Sequence, residues 1–149
     1  MTELSLADGF AALNRGDLAA AGEACKQALA ANQKHVPAHF LVGLVALEGK
    51  QRQVAHEAFK SVVTLDRDHA AAWAHLAKLN VGEGRIAAAE SALREVRRIQ
   101  PSDPMVIELT GTVLNSLGEY EAAELFFERA HRMVPQSPSA LMNLGNVRV

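Results

Sequence analysis

A period of 34 residues runs through this chain. Gly84 and Gly118 are one period apart, and Gly16 precedes Gly84 by two periods. The same step relates a series of small residues and a series of larger residues: Ala21, Ala55, Ala89 and Ala123, then Cys25, Phe59, Leu93 and Phe127. Such a repeat predicts an array of similar units, each of which buries its apolar face against its neighbours.

The apolar residues within each period are spaced as on helices. Every unit carries two apolar stripes separated by a short turn segment, and the period-two alternation of a half-buried strand is missing. The chain is therefore expected to be almost entirely helical. The predicted helices lie near 3–15, 18–31, 37–49, 52–65, 70–83, 86–99, 104–117 and 120–133, with a ninth near 138–147.

Two of the units carry a recognisable set of residues. The third has Trp73, Leu76, Ala77, Gly84, Ala89 and Pro101, and the fourth has Gly111, Leu114, Gly118, Tyr120, Ala123, Phe127, Ala130 and Pro135. This pattern resembles the tetratricopeptide repeat family. The resemblance implies a right-handed α-solenoid of antiparallel helix pairs, a single domain over 1–149 with about four and a half repeats. The repeats are expected at 2–35, 36–69, 70–103 and 104–137, with a partial fifth at 138–149.

Charge and composition exclude several classes of function. The formal net charge of −2 provides no basic surface for nucleic acid. No apolar run is long enough to span a membrane, and the first eight residues lack the basic region of a secretory signal. The single cysteine, Cys25, excludes an internal disulfide and suits a reducing compartment. We expect a cytoplasmic protein.

The last repeat is incomplete. Residues 138–149 supply a first helix, with Leu141 and Leu144 in apolar positions, but no second helix follows. Either the chain is the N-terminal part of a longer protein, or this fragment caps the fourth unit; the first alternative is preferred, since arrays usually end in a polar capping helix.

The family resemblance implies a ligand-binding surface on the first helix of each unit. Arrays of this kind hold a peptide or a helix in a concave groove. The residues at the corresponding positions are apolar in the first two units and mixed in the next two. They are Leu6, Phe10, Leu13, Phe40, Leu44, Leu47, Lys78, Met105, Glu108, Thr112 and Asn115. Alternatively, the apolar residues of the first unit fold back as a cap or lie in a dimer interface.

More specific ligands and chemistries find no support in the sequence. Family members that clamp the C-terminal EEVD tail of chaperones use Lys, Asn and Arg, but positions such as Leu6, Phe10 and His75 lack those donors here. His35 and His39 are separated by a helix break and have no cysteine or carboxylate set beside them, so we expect no metal site. Cys25 falls at a core position. We expect no catalytic residue and no cofactor.

The resulting hypothesis is a non-catalytic scaffold that binds an unidentified protein or peptide. One alternative is the N-terminal module of a larger bacterial enzyme, similar to arrays that precede sulfotransferase or glycosyltransferase domains. In that case the catalytic domain would lie beyond residue 149. A further alternative is a homo-oligomerisation module.

Overall fold

The computed structural model describes residues 5–134, and in that range every element is a helix. The helices are α1 (Leu6–Asn14), α2 (Leu18–Ala31), α3 (Val36–Glu48), α4 (Arg52–Leu65), α5 (Ala70–Gly82), α6 (Ile86–Ile99), α7 (Pro104–Ser116) and α8 (Tyr120–Met133). The predicted helices are confirmed to within one residue except at the start of α1. The ninth predicted helix, 138–147, falls outside the described residues.

Side chains at the ends of the helices explain where the first helices begin. Ser5 precedes α1 and forms a capping box with Asp8, so α1 starts at Leu6 rather than at the predicted residue 3. The imidazole Nδ1 of His35 accepts the backbone N–H of Ala38 at 3.2 Å at the start of α3. Asp103 accepts the N–H of Met105 at the start of α7. Each cap satisfies a backbone donor that the helix itself leaves unpaired.

The turn inside each repeat has a left-handed residue at the same position. Gly16, Gly84 and Gly118 have φ of 81°, 75° and 81°, and Lys50 takes that conformation with φ of 58°. Lys50 therefore replaces the turn glycine of the second repeat without changing the turn. The short connections that result make the two helices of a repeat antiparallel neighbours, and α1 packs on α2, α3 on α4 and α7 on α8.

By their contacts the residues form two compact units, Met1–Ala72 and Trp73–Val149, each with its own core. The core of the first unit includes Leu41, Phe59 and Val62, and that of the second includes Ile107, Leu114 and Phe127. That 1–149 form a single domain remains a prediction.

Glycine on the first helix and an aromatic ring on the second make the closest contact within a repeat. A Cβ built on Gly43 would lie 2.5 Å from a ring carbon of Phe59, and one on Gly111 would lie 2.7 Å from Phe127. Only glycine lets the two helices approach to this distance. Gly43 and Gly111 are two periods apart, and their shared position in the repeat reflects a packing requirement of these two helix pairs.

Candidate protein-binding surface

Six of the apolar residues predicted to line a groove lie on α1 and α3, the first helices of the first two repeats. These helices contact each other within the first unit. Each of these six residues is half-buried: none is in the core, and none is fully exposed. These six half-buried apolar side chains are here called the first-helix surface. They are those of Leu6, Phe10, Leu13, Phe40, Leu44 and Leu47.

Phe40 is held at this surface by two other rings. Its ring centroid lies 5.6 Å from that of the core residue Phe59 and 4.7 Å from that of His69. Both arrangements are tilted, as aromatic pairs prefer. Phe40 therefore presents one part of its ring to solvent while the rest is fixed by α4 and by the turn that follows it.

His69 connects this surface to the start of α5. Its Nδ1 accepts the backbone N–H of Ala72 at 3.2 Å, as His35 does one period earlier for α3. Burial lowers the pKa of His69, and the nearby carboxylate of Asp66 offsets this effect only in part. The neutral imidazole is the form that can accept the hydrogen bond.

The predicted positions of the second unit are more polar. Lys78 is exposed, Met105 is 78% exposed, and Glu108 and Thr112 are half-buried. Thr112 donates its hydroxyl to the backbone carbonyl of Glu108 at 3.0 Å, which leaves the hydroxyl oxygen available as an acceptor. That these residues and the first-helix surface line one groove remains a prediction.

Asn115, the last predicted position, carries an unusual polar atom. Its side-chain carbonyl oxygen is buried and has no hydrogen-bond partner among the described residues. The equivalent positions one, two and three periods earlier hold Val81, Leu47 and Leu13. A buried acceptor left unpaired costs about 1–3 kcal/mol, so Asn115 is less favourable at this position than its apolar counterparts.

Sequence inspection missed a cavity in the first unit. A space of about 240 Å³ is bordered by α2, α3 and the start of α4, with Cys25 and Ala46 in its wall. The sequence signal for this cavity is the small size of two residues of the first repeat. At the position of Gly22 the other repeats have His56, Glu90 and Glu124, and at the position of Cys25 they have Phe59, Leu93 and Phe127. A further cavity of about 510 Å³ lies along α4 and has a mixed polar lining.

The described residues offer no cluster of metal ligands, no reactive cysteine and no membrane-spanning helix. Among residues 5–134 no three His, Cys, Asp or Glu side chains are grouped so as to hold a metal ion. Cys25 is buried, and burial raises the pKa of its thiol to about 11, so the reactive thiolate is scarce near neutral pH. No helix in this range is long and apolar enough to cross a membrane.

Comparison with protein families identifies the repeat. Residues 46–111 match the family model described as tetratricopeptide repeat. This part of the chain is similar to tetratricopeptide repeats. The match spans most of the second predicted repeat, all of the third and the beginning of the fourth. The helix pairs of residues 5–134 have the all-α fold of tetratricopeptide solenoids.

Solved structures of tetratricopeptide proteins share this fold. The crystal structure of MamA is 24% identical over 93% of this chain and 81% of its own, with a TM-score of 0.69. PilF of Pseudomonas aeruginosa is 20% identical over 93% of this chain and 64% of its own, with a TM-score of 0.77. A chain of the APC/C hetero-tetramer Cut9–Hcn1 reaches the same TM-score at 20% identity, over 95% of this chain and 29% of its own. No curated protein sequence matches the chain.

Proposed function

We propose that this chain is a non-catalytic scaffold whose first-helix surface binds an apolar face of a partner protein. The tetratricopeptide fold is consistent with protein interaction in general. The observation that carries the specific proposal is the row of half-buried apolar side chains on the adjacent helices α1 and α3. Apolar residues gathered on one surface are typical of an interaction site.

An amphipathic helix is the partner that suits this surface best. Its apolar side chains, spaced three and four residues apart, would contact Phe10 and Phe40, the two aromatic residues of the first-helix surface. Aromatic residues are the usual anchors of such interfaces because they bury much surface at little entropic cost. The ring contacts of Phe40 with Phe59 and His69 hold it in place before binding.

The second unit offers polar positions of its own to a partner protein. Asn115 has a buried oxygen without a partner among residues 5–134, and Thr112 keeps an acceptor oxygen. The hydroxyl oxygen of Thr112 could accept a backbone N–H group of a partner segment. The free, buried Cys25 is compatible with the cytoplasm, which is the compartment we propose.

A library of amphipathic helical peptides displayed on phage tests the proposal. The 149-residue chain is immobilised, and the dissociation constant of each enriched peptide is measured by calorimetry. We expect the double variant Phe10→Glu, Phe40→Glu to bind at least about tenfold more weakly, because two buried charges would face the apolar side of the peptide.

Leu125→Glu is the matched control. Leu125 lies on α8, is 67% exposed and belongs to no predicted binding position, so this variant should bind the same peptides with unchanged affinity. Circular dichroism checks that all variants are folded, and the single variant Phe10→Glu replaces the double one if the latter unfolds. Peptides that bind the folded Glu variants as tightly as the original chain would disprove the assignment of the surface.

A further inference from the structure

The cavity of the first unit has an apolar interior. Its wall consists of Leu29 from α2, Val42 and Val45 from α3, and Val54 from α4, with the buried Cys25 and Ala46 between them. All of these residues belong to one compact unit. The side chains of Lys26 and Gln51, both exposed, are the polar groups at its border.

The cavity exists because two residues of α2, Gly22 and Cys25, are small. Around a Cβ built on Gly22, no atom lies within 4 Å, whereas the same construction on Gly43 and Gly111 meets an aromatic ring. Gly22 is therefore not required by packing. Cys25 stands where the second and fourth repeats have Phe59 and Phe127, and Leu41 rather than a ring lies against Gly9 of the first repeat.

We propose that this cavity is a binding site for a free small aromatic molecule about the size of indole. A volume of about 240 Å³ is larger than the roughly 150 Å³ cavity that holds benzene in other proteins. It is smaller than the roughly 300–1,000 Å³ of sites for drug-sized ligands. One bicyclic ring with few substituents therefore matches the cavity, and the valine and leucine methyl groups supply the apolar contacts.

The border of the cavity selects for one polar atom on the ring. Gln51 precedes α4 at its N-cap position, but its side chain makes no capping hydrogen bond. Its amide oxygen can accept from a ring N–H or O–H while the rest of the ring lies against Val45 and Val54. The cavity shares α3 with the first-helix surface, but none of the residues that line it is among those proposed to bind a partner protein.

Methyl NMR of the 149-residue chain with indole as the probe tests the proposal. We expect saturable shifts of the methyl signals of Leu29, Val42, Val45 and Val54, with a dissociation constant of about 0.1–1 mM. Nuclear Overhauser contacts should join the indole protons to these methyl groups. The methyl signals of Val106 and Leu114, in the core of the second unit, provide the reference that should not shift.

Two leucine variants of α2 form a matched pair. Gly22→Leu places a side chain in the open space above Gly22, and we expect it to weaken indole binding at least tenfold. Ala19→Leu adds the same side chain at an exposed position three residues away and should bind indole as the original chain does. If Gly22→Leu does not fold, Val54→Asp, which places a carboxylate at the cavity border, is expected to give the same loss. Unsaturable shifts, contacts to methyl groups elsewhere, or full binding by Gly22→Leu would each overturn the proposal.

Discussion

Lys50 occupies a conformation that disfavours every residue but glycine. Its φ of 58° matches the turn position of Gly16, Gly84 and Gly118, and around a Cβ built on any of these glycines no atom lies within 4 Å. The cost of a side chain at this position is therefore conformational rather than steric, about 1 kcal/mol. A lysine is tolerated because the turn leaves room for it.

Lys50→Gly should consequently stabilise the protein. We expect the free energy of unfolding, measured by urea denaturation, to rise by about 1 kcal/mol, because the left-handed turn no longer opposes a Cβ. Gly84→Lys is the reciprocal change and should lower the free energy of unfolding by a similar amount. A loss of stability in Lys50→Gly would show that a contact of the lysine side chain stabilises the protein by more than the left-handed backbone conformation destabilises it.

His69 makes stability depend on pH. Burial holds its folded-state pKa below the ordinary histidine value of 6.5. Its stabilising effect is therefore complete above the pKa of the unfolded chain and is lost as the pH falls through the folded-state pKa. Protonation also removes the Nδ1 lone pair that accepts the N–H of Ala72. We expect the free energy of unfolding to fall from pH 7 to pH 5.

His69→Asn separates this effect from other titrations. Asparagine is among the best N-caps and does not titrate, so the variant should keep the cap and show a weaker decline in stability between pH 7 and pH 5. His69→Ala loses the cap and should be about 1 kcal/mol less stable than His69→Asn at neutral pH. Parallel pH profiles for the original chain and His69→Asn would contradict the assignment to His69.

At the scale of elements, the glycines of the helices have opposite roles. Gly43 contacts the ring of Phe59, so Gly43→Ala forces a collision and should lower the free energy of unfolding by about 1–3 kcal/mol. Gly22 lies in α2 beside open space. Gly22→Ala should therefore raise the free energy of unfolding by about 1 kcal/mol through helix propensity alone. Thermal denaturation of the two variants measures both changes. Equal effects would mean that the ring of Phe59 moves away at little cost.

The helices were predictable because repetition makes each boundary appear several times. The spacing of Gly16, Gly84 and Gly118 locates the turns, and the turn at Lys50 follows from the period although its glycine is missing. The start of α1 was misplaced because the capping box of Ser5 and Asp8 outweighs the apolar pattern before it. The start of α1 has no preceding repeat with which its position could be compared.

The candidate sites were harder to predict from the sequence than the helices. Apolar residues such as Phe10 and Phe40 could be placed on first helices, but their partial exposure depends on the packing of α1 against α3. The aromatic contacts of Phe40 come from positions 19 and 29 residues further along the chain. The cavity beside Gly22 depends on side chains that are missing relative to the other repeats, and a search for motifs finds only those that are present.

At the scale of the whole molecule, stability in a repeat array is a sum of local terms. Each unit contributes its own burial and its interface with the next, so poorly buried units open first. α1 buries Gly9 and Ala12, two of the smallest residues. α7 buries six residues, including Ile107, Val113 and Leu114. The array should therefore be least stable at its first helix.

Native-state hydrogen exchange measures this difference helix by helix. Because the side chains buried by α7 carry much more apolar area, we expect its amides to open at a free energy at least about 2 kcal/mol above that of α1. Ser5→Ala removes the capping box and should lower the opening free energy of α1 by about 1 kcal/mol while leaving α7 unchanged. Asp103→Ala, which removes the cap of α7, should have the converse effect. If either variant changed α1 and α7 equally, the protein would unfold as one cooperative body, and local burial could not set the order in which its helices open.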